Sequence, residues 1–329
     1  MNIPHLDYLL VLSEEKSFSK AADRLFLTQS ALSQYVRKLE QQMNVTLFNR
    51  GNGPITPTPE GELYLEALRK TKAAMLEYEK QLSDLTDLRV GHLTIGTSSF
   101  RAANLLPTVI LEFQKQFPGI QLDIITDNIK RIKELLFSGE IDFAIENDSF
   151  EKEFFHCENL YTETHYLTAA KDFPLPNAFA GYALEYTDIS EESRRFFQAP
   201  AIPLSSFPDL PIIGVKPENS FYPCHRDIFH ESAIKPHIVT TVDNIETAFR
   251  WSESGIAVAL IPDSLILHGN FVRHPLYYKL DSLAASQDIV FAIRKGRHIS
   301  AATKKFLEIL RALIGFGTWD STSRGETAL

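Results

Sequence analysis

Little in this 329-residue chain suggests a secreted, membrane-spanning or catalytic protein. Two cysteines, Cys157 and Cys224, are too few for a disulfide framework. No stretch reaches the ~18 consecutive apolar residues that a membrane span requires. The opening Met-Asn-Ile-Pro-His-Leu-Asp lacks both the cationic start and the apolar core of a signal peptide, so a cytoplasmic location is expected. There is no Gly-x-x-x-x-Gly-Lys phosphate loop, no Gly-x-Ser-x-Gly elbow and no His-Glu-x-x-His pair. Gly91 and Gly96 do not form a dinucleotide fingerprint. Cys224-His225 with His230 fits no common zinc spacing. Catalytic residues, a metal and a cofactor are therefore all expected to be absent. Positive charge is not in excess either, since the net charge is −9.

What is present begins at Ser17. From there to Glu40 two short amphipathic helices follow each other with almost no space between them. The first is expected from about Ser19 to Phe26, with Ala21, Ala22 and Leu25 on one face. The second starts after Thr28, a favourable N-cap residue. Its apolar Leu32, Val36 and Leu39 fall at i, i+4 and i+7, one stripe of a 3.6-residue period. The small Ala21-Ala22 pair permits a close crossing. This is the pattern of a helix-turn-helix, whose second helix enters the major groove of DNA. Gln29, Ser30, Ser33, Gln34 and Arg37 lie opposite the stripe, beside Lys38. Gln, Ser and Arg can all pair with base edges or phosphates, although an ordinary solvated face would read the same way. Leu47-Phe48-Asn49-Arg50, the turn Gly51 to Pro54 and Ile55-Thr56 suggest a two-stranded wing that brings Arg50 within reach of a phosphate. Pro59 then opens another helix at its favoured first position.

That helix is expected to be long. From Glu60 to Leu88 there is no Pro, and the one Gly lies in the first turn. Leu68, Met75 and Leu82 recur every seven residues, and Tyr64, Thr71, Tyr78 and Leu85 fill the other seam position. This is a coiled-coil pattern over about three heptads. Two copies would help binding, because residues 1–60 carry six cations (Lys16, Lys20, Arg24, Arg37, Lys38, Arg50) and six acids (Asp7, Glu14, Glu15, Asp23, Glu40, Glu60). With no net charge, affinity for phosphates depends on where the cations are placed.

After Gly91 the periodicity changes. Strands are expected at His92–Thr97, Ile120–Thr126 and Ile141–Ile145, separated by helices at Asn104–Gln116 and Ile129–Phe137. Alternation of this length indicates parallel α/β structure. A second such unit uses Tyr166–Ala170, Pro211–Val215, His237–Val242 and Gly255–Pro262, with helices at Pro223–Ala233 and Ile245–Glu253. Ile289–Ile293 and a final helix from Ala301 to Leu313 then return to the first unit. Residues 172–203 fit neither unit; they read as a surface insertion or a partial cover for a cleft.

In order and spacing, Ser17-Phe18, Ala21-Ala22, Leu25, Thr28-Gln29, Ser33, Leu39-Glu40, Leu47-Phe48, Arg50, Thr58 and Gly61 resemble the winged helix-turn-helix of the LysR family of bacterial transcription regulators. Leu93-Ile95-Gly96, Pro107, Phe117-Pro118, Gly139 to Asp142, Gly255 to Ala257, Pro262 and Lys295-Gly296 resemble that family's effector domain, whose two α/β lobes are like those of type 2 periplasmic binding proteins. Ser30, Asn44 and the cation-free turn at 51–54 depart from the family pattern. The resemblance implies a winged helix-turn-helix over 1–60, a linker and dimerisation helix over 61–89, a first lobe over 90–163 and 268–314, a second lobe over 164–267 and a tail over 315–329. It also implies promoter DNA, a small-molecule effector, a homodimer or homotetramer and RNA polymerase as partners. Effector-binding roles carry over to Ser98, Ser99 and Asn128. Loop position adds Arg101, Asn219 and Ser220, and a carboxylate clamp by Arg101 makes an organic acid the expected effector. A solute-binding protein and an enzyme using the same cleft are the alternatives. The DNA-reading motif argues against the first, and the absent catalytic motifs argue against the second.

Overall fold

The structure is a computed structural model describing residues 6–50, 53–85, 90–176, 179 and 181–314. It divides into two compact units, residues 1–85 and 86–329. In the first, helices α1 (Leu6–Glu15), α2 (Phe18–Arg24) and α3 (Gln29–Met43) precede strands β1 (Phe48–Asn49) and β2 (Thr56–Pro57) and the 27-residue helix α4 (Pro59–Leu85). Leu9, Leu12, Ala21, Ala22, Leu32, Val36, Leu47, Phe48 and Leu65 form the head's buried core. The expected N-cap of α3 is in place. Thr28 Oγ1 accepts the Ala31 amide at 3.2 Å, and Asn44 ends α3 in the left-handed conformation at φ 53°. Gly61 is required by proximity, because a Cβ there would lie 2.0 Å from the Leu47 carbonyl oxygen.

The second unit contains β3 (Gly91–Thr97), α5 (Ser99–Asn104), α6 (Leu106–Gln116), β4 (Ile120–Thr126), α7 (Ile129–Ser138), β5 (Phe143–Asn147) and the 15-residue β6 (Phe155–Ala169). Next come α8 (Tyr186–Ser190), α9 (Arg194–Gln198), β7 (Pro211–Val215), α10 (Tyr222–Glu231), β8 (His237–Val242), α11 (Ile245–Glu253) and β9 (Val258–Pro262). The unit ends with α12 (Asp263–His268), β10 (Leu276–Lys279), β11 (Ser286–Arg294) and α13 (Ala301–Ile314). The sheet order is β4-β3-β5-β11-β6-β9-β7-β8, with β10 also on β6. β3 is parallel to β4 and β5, and β7 is parallel to β8 and β9. Between these parallel halves runs an antiparallel ribbon. β11 pairs with β6 from Phe155 to Thr164, and β6 continues into the second half to pair with β9 and β10. Each half buries apolar clusters on both of its faces, so both lobes are three-layered.

Three expectations change. The second lobe does not end at 267, because β10 pairs with Tyr166–Ala169 and Tyr278, Leu280 and Ala285 lie in that lobe's core. The chain returns to the first lobe only at Ser286. Residues 172–203 are not a cover for the cleft. Phe179 and Ile202 are buried in the second lobe's core, and Leu184 bridges to Tyr277. The single helix expected at Asn104–Gln116 is preceded by a separate short helix, α5. Residues 315–329, expected to be a tail, lie outside the described residues.

Candidate functional site

On α3 the apolar stripe is inward, with Leu32 and Val36 fully buried. Thr28, Gln29, Ser30, Gln34, Arg37 and Lys38 are exposed, and Ser33 is half-buried. Among the described residues neither Arg37 nor Lys38 forms an ion pair. The Thr28 and Ser30 hydroxyls lie 3.1 Å apart beside the first turn. Tyr35 packs edge-on against Tyr8 at 5.2 Å, which fixes α3 against α1. Arg50 is engaged within the head. Its guanidinium meets Glu40 at 2.6 Å and sits 5.4 Å over the Phe18 ring. The other oxygen of Glu40 accepts the amides of Leu47 at 2.8 Å and Phe48 at 3.2 Å. Glu40 therefore ties the end of α3 to the wing and holds Arg50.

In the effector unit, the loops after β3, β4, β7 and β8 line a cavity of about 260 Å³. Ser98, Ser99 and Asn128 lie on one side and Asn219 and Ser220 on the other, as expected from their positions after strands. Helix starts explain the placement. Ser98 caps α5 and Asn128 caps α7, each through its side-chain oxygen. Asp127, Glu218, Asp243, Asn244, Phe100 and Ile245 complete the lining. Asn244 and Ile245 were not anticipated. The signal was there to find, since Asn244 caps α11 directly after strand β8, as Asn128 caps α7 after β4.

Arg101 is the correction. It lies beneath the cavity and does not line it. With 1% of its surface exposed, it donates to Glu146 and Glu163 at 3.1 Å each and to the Ser98 hydroxyl at 3.3 Å. Its guanidinium also lies 5.7 Å from the centre of the Phe221 ring. The Glu146 carboxylate accepts the Ser98 amide as well, so this buried cluster fixes the loop that faces the cavity. Glu163 reaches Gln287 at 3.0 Å and Ser264 at 2.5 Å, which extends the cluster across β6, β11 and α12. Burial holds the Glu146 carboxyl above its usual range, opposed by the adjacent Arg101 charge. An arginine already paired with two carboxylates cannot clamp an incoming acid without leaving a buried charge unpaired.

The two cysteines lie in separate places. Cys157 is on the first-lobe part of β6, and Cys224 is buried in the second lobe, 3.4 Å from His165 Nδ1. Burial pushes both thiols up, to about 11 and about 12. Among the described residues no group of three or more His, Cys, Asp or Glu side chains could hold a metal ion.

Residues 3–62 match the family model for the bacterial regulatory helix-turn-helix protein, lysR family, and residues 86–314 match the LysR substrate binding domain. The chain belongs to the LysR family of transcription regulators. It is 26% identical over 322 residues to the uncharacterized HTH-type regulator YcgK of Bacillus subtilis (strain 168), covering 94% of each chain. It is also 26% identical over 311 residues to the regulator AlsR of the same organism, covering 94% of this chain and 95% of AlsR. Full-length CbnR in complex with its target DNA shares the fold at a TM-score of 0.60 and 18% identity, covering 94% of this chain and 99% of that one. The LysR-type regulator described here thus joins a DNA-binding head to an effector-binding α/β domain, in a family of regulators and not of enzymes.

Proposed function

We propose that this LysR-type regulator reads its promoter with Thr28, Gln29, Ser30, Ser33 and Gln34, and anchors to phosphates through Arg37 and Lys38. The observation that carries this reading is the α3 surface opposite Leu32 and Val36, where amide, hydroxyl and cationic side chains face outward and Arg37 and Lys38 form no ion pair with the described residues. Arg50 acts by setting the wing through Glu40. Two copies joined along α4 would place two heads on half-sites about one helical turn apart. RNA polymerase would then be the downstream partner, and the protein would work in the cytoplasm with the chromosome. Binding of an effector between Asn128 on one lobe and Asn219 on the other would bias the paired domains toward one arrangement, and DNA of matching geometry would raise effector affinity by the same factor.

The cavity lining argues for a different effector from the organic acid expected above. Asp127, Glu218 and Asp243 all line it. Lys216, directly after β7, is held by Asp243 at 2.8 Å, and Arg101 is committed below. A small molecule carrying an ammonium group beside hydrogen-bonding groups suits this surface better than a carboxylate. Two experiments test the function. Gln29→Ala with Ser33→Ala should abolish specific gel-shift of a promoter fragment, each lost base contact costing roughly 1–3 kcal/mol; intact specific binding would displace α3 as the reading helix. In a thermal-shift panel of amines and acids, a cleft ligand at ~100 times its Kd should add ~2.7 kcal/mol of stability, and Asn128→Ala should remove that shift.

A further inference from the structure

Phe26 is unfavourable for the fold in two ways. It stands in the turn between α2 and α3, with φ 56° and 97% of its surface exposed. The turn closes α2 by a paired hydrogen-bond motif: Leu27 N–H donates to the Ala22 carbonyl at 2.9 Å, and Phe26 N–H to the Asp23 carbonyl at 3.2 Å. That motif puts Phe26 at the left-handed position where Gly, or else Asn, is the usual residue. At the end of α3 the same chain places Asn44 in that conformation. A side chain with a Cβ is strained there, and this aromatic ring recovers nothing by burial. Phe26 is also the one aromatic among the non-glycine residues with positive φ in the described chain.

Its neighbours indicate what covers the ring. Phe26 comes two residues before the cap Thr28 and three before Gln29, both exposed as it is, so it stands at the N-terminal end of α3. In helix-turn-helix proteins that end of the reading helix points at the base edges. Apolar side chains read one feature of the major groove, the thymine C5-methyl group. We propose that Phe26 is a specificity residue that packs its ring on a thymine methyl at the edge of each half-site. This rests on α3 being the reading helix. The strained turn holds the ring in water in the free protein, so the apolar surface it buries is buried on DNA alone.

The test begins with selection of a consensus from random duplexes by the full-length chain. Each thymine is then replaced by uracil, which deletes one methyl group and leaves base pairing unchanged. For the wild type, a replacement in one half-site should weaken binding about fourfold, the worth of one buried methyl group, and the same replacement in both half-sites about fifteenfold. Phe26→Ala should bind the thymine site more weakly and be indifferent to that same replacement. Phe26→Asn should raise Tm while lowering affinity, a combination that a purely structural role would not produce. If Phe26→Ala binds as tightly as the wild type, or loses affinity yet keeps the full thymine-to-uracil sensitivity, the inference is overturned. If the wild type enriches no sequence at all, the assignment of α3 fails first; an enriched consensus lost with Gln29→Ala but unaffected by Phe26→Ala removes only the role of Phe26.

Discussion

Glu40 shows how one side chain can hold a DNA-reading element without touching DNA. Its carboxylate is the acceptor for two wing amides and the partner of Arg50. Glu40→Ala leaves the Leu47 and Phe48 amides without that acceptor, and an unsatisfied group of this kind costs roughly 1–3 kcal/mol. The head's unfolding transition, followed by circular dichroism, should drop accordingly, and Glu40→Gln should recover part of the loss. The residues were readable at this scale where their partners are close in the chain. Thr28, Ser98 and Asn128 accept amides within a few positions, and the sequence pattern names them. The sequence does not show the role of Arg101, because its partners Glu146 and Glu163 lie 45 and 62 positions away. Loop position says where a backbone goes, but not which distant carboxylate meets its side chain.

At the scale of elements, α4 has two parts. Leu65 is buried in the head and Tyr64 and Leu68 pack against that core, while Lys72 pairs with Asp7 at 2.6 Å. The first two expected heptads therefore partly serve the head itself. Farther along, Met75 is half-buried and Tyr78 is 52% exposed; the side chains of Leu82 and Leu85 lie outside the described residues. Placing like charges at Met75 and Tyr78 is expected to split a dimer while the head stays folded. Met75→Lys with Tyr78→Lys should shift the sedimentation coefficient toward that of one chain and weaken binding to a two-half-site fragment, with little effect on a single half-site. An unchanged sedimentation profile would move the pairing surface elsewhere. Helices with a single apolar stripe, such as α3 and α7, were legible in the sequence. Helix α1, apolar on most sides in Leu-Asp-Tyr-Leu-Leu-Val-Leu, shows no such stripe. The first half of β6 mixes exposed and buried positions, so no plain alternation marks it in the sequence.

The whole effector domain should respond to pH through the buried His165 and His225 and the part-buried Asp263. Burial lowers His165 to about 4 and His225 well below its usual range, with His165 adding to the latter effect. In the unfolded chain both titrate near 6.5. The unfolded state therefore binds the extra protons, so this contribution is complete above about pH 6.5 and shrinks as the pH falls. Asp263 works in the opposite sense. Burial, then the Glu163 charge, raises its carboxyl to about 8, so the folded state keeps that proton and gains stability on the acid side. Between pH 6.5 and 5, Tm should fall more steeply in Asp263→Asn than in the wild type, and should flatten in His225→Phe. The two α/β units and their cleft-facing loops could be read from apolar runs and strand-end residues. The antiparallel ribbon could not, because its strands β6 and β11 pair residues more than a hundred positions apart.

That ribbon also determines when the domain can be completed during synthesis. β5 is flanked in the finished sheet by β3 and β11, yet 138 residues separate its end at Asn147 from the start of β11 at Ser286. At a translation rate of ~5–20 residues per second, β5 waits roughly 7–28 s for that neighbour. The second lobe, emerging as one uninterrupted stretch, can close first. The nascent first lobe meanwhile presents the bare flank of β5, and this interval is when a ribosome-bound chaperone would have most to protect.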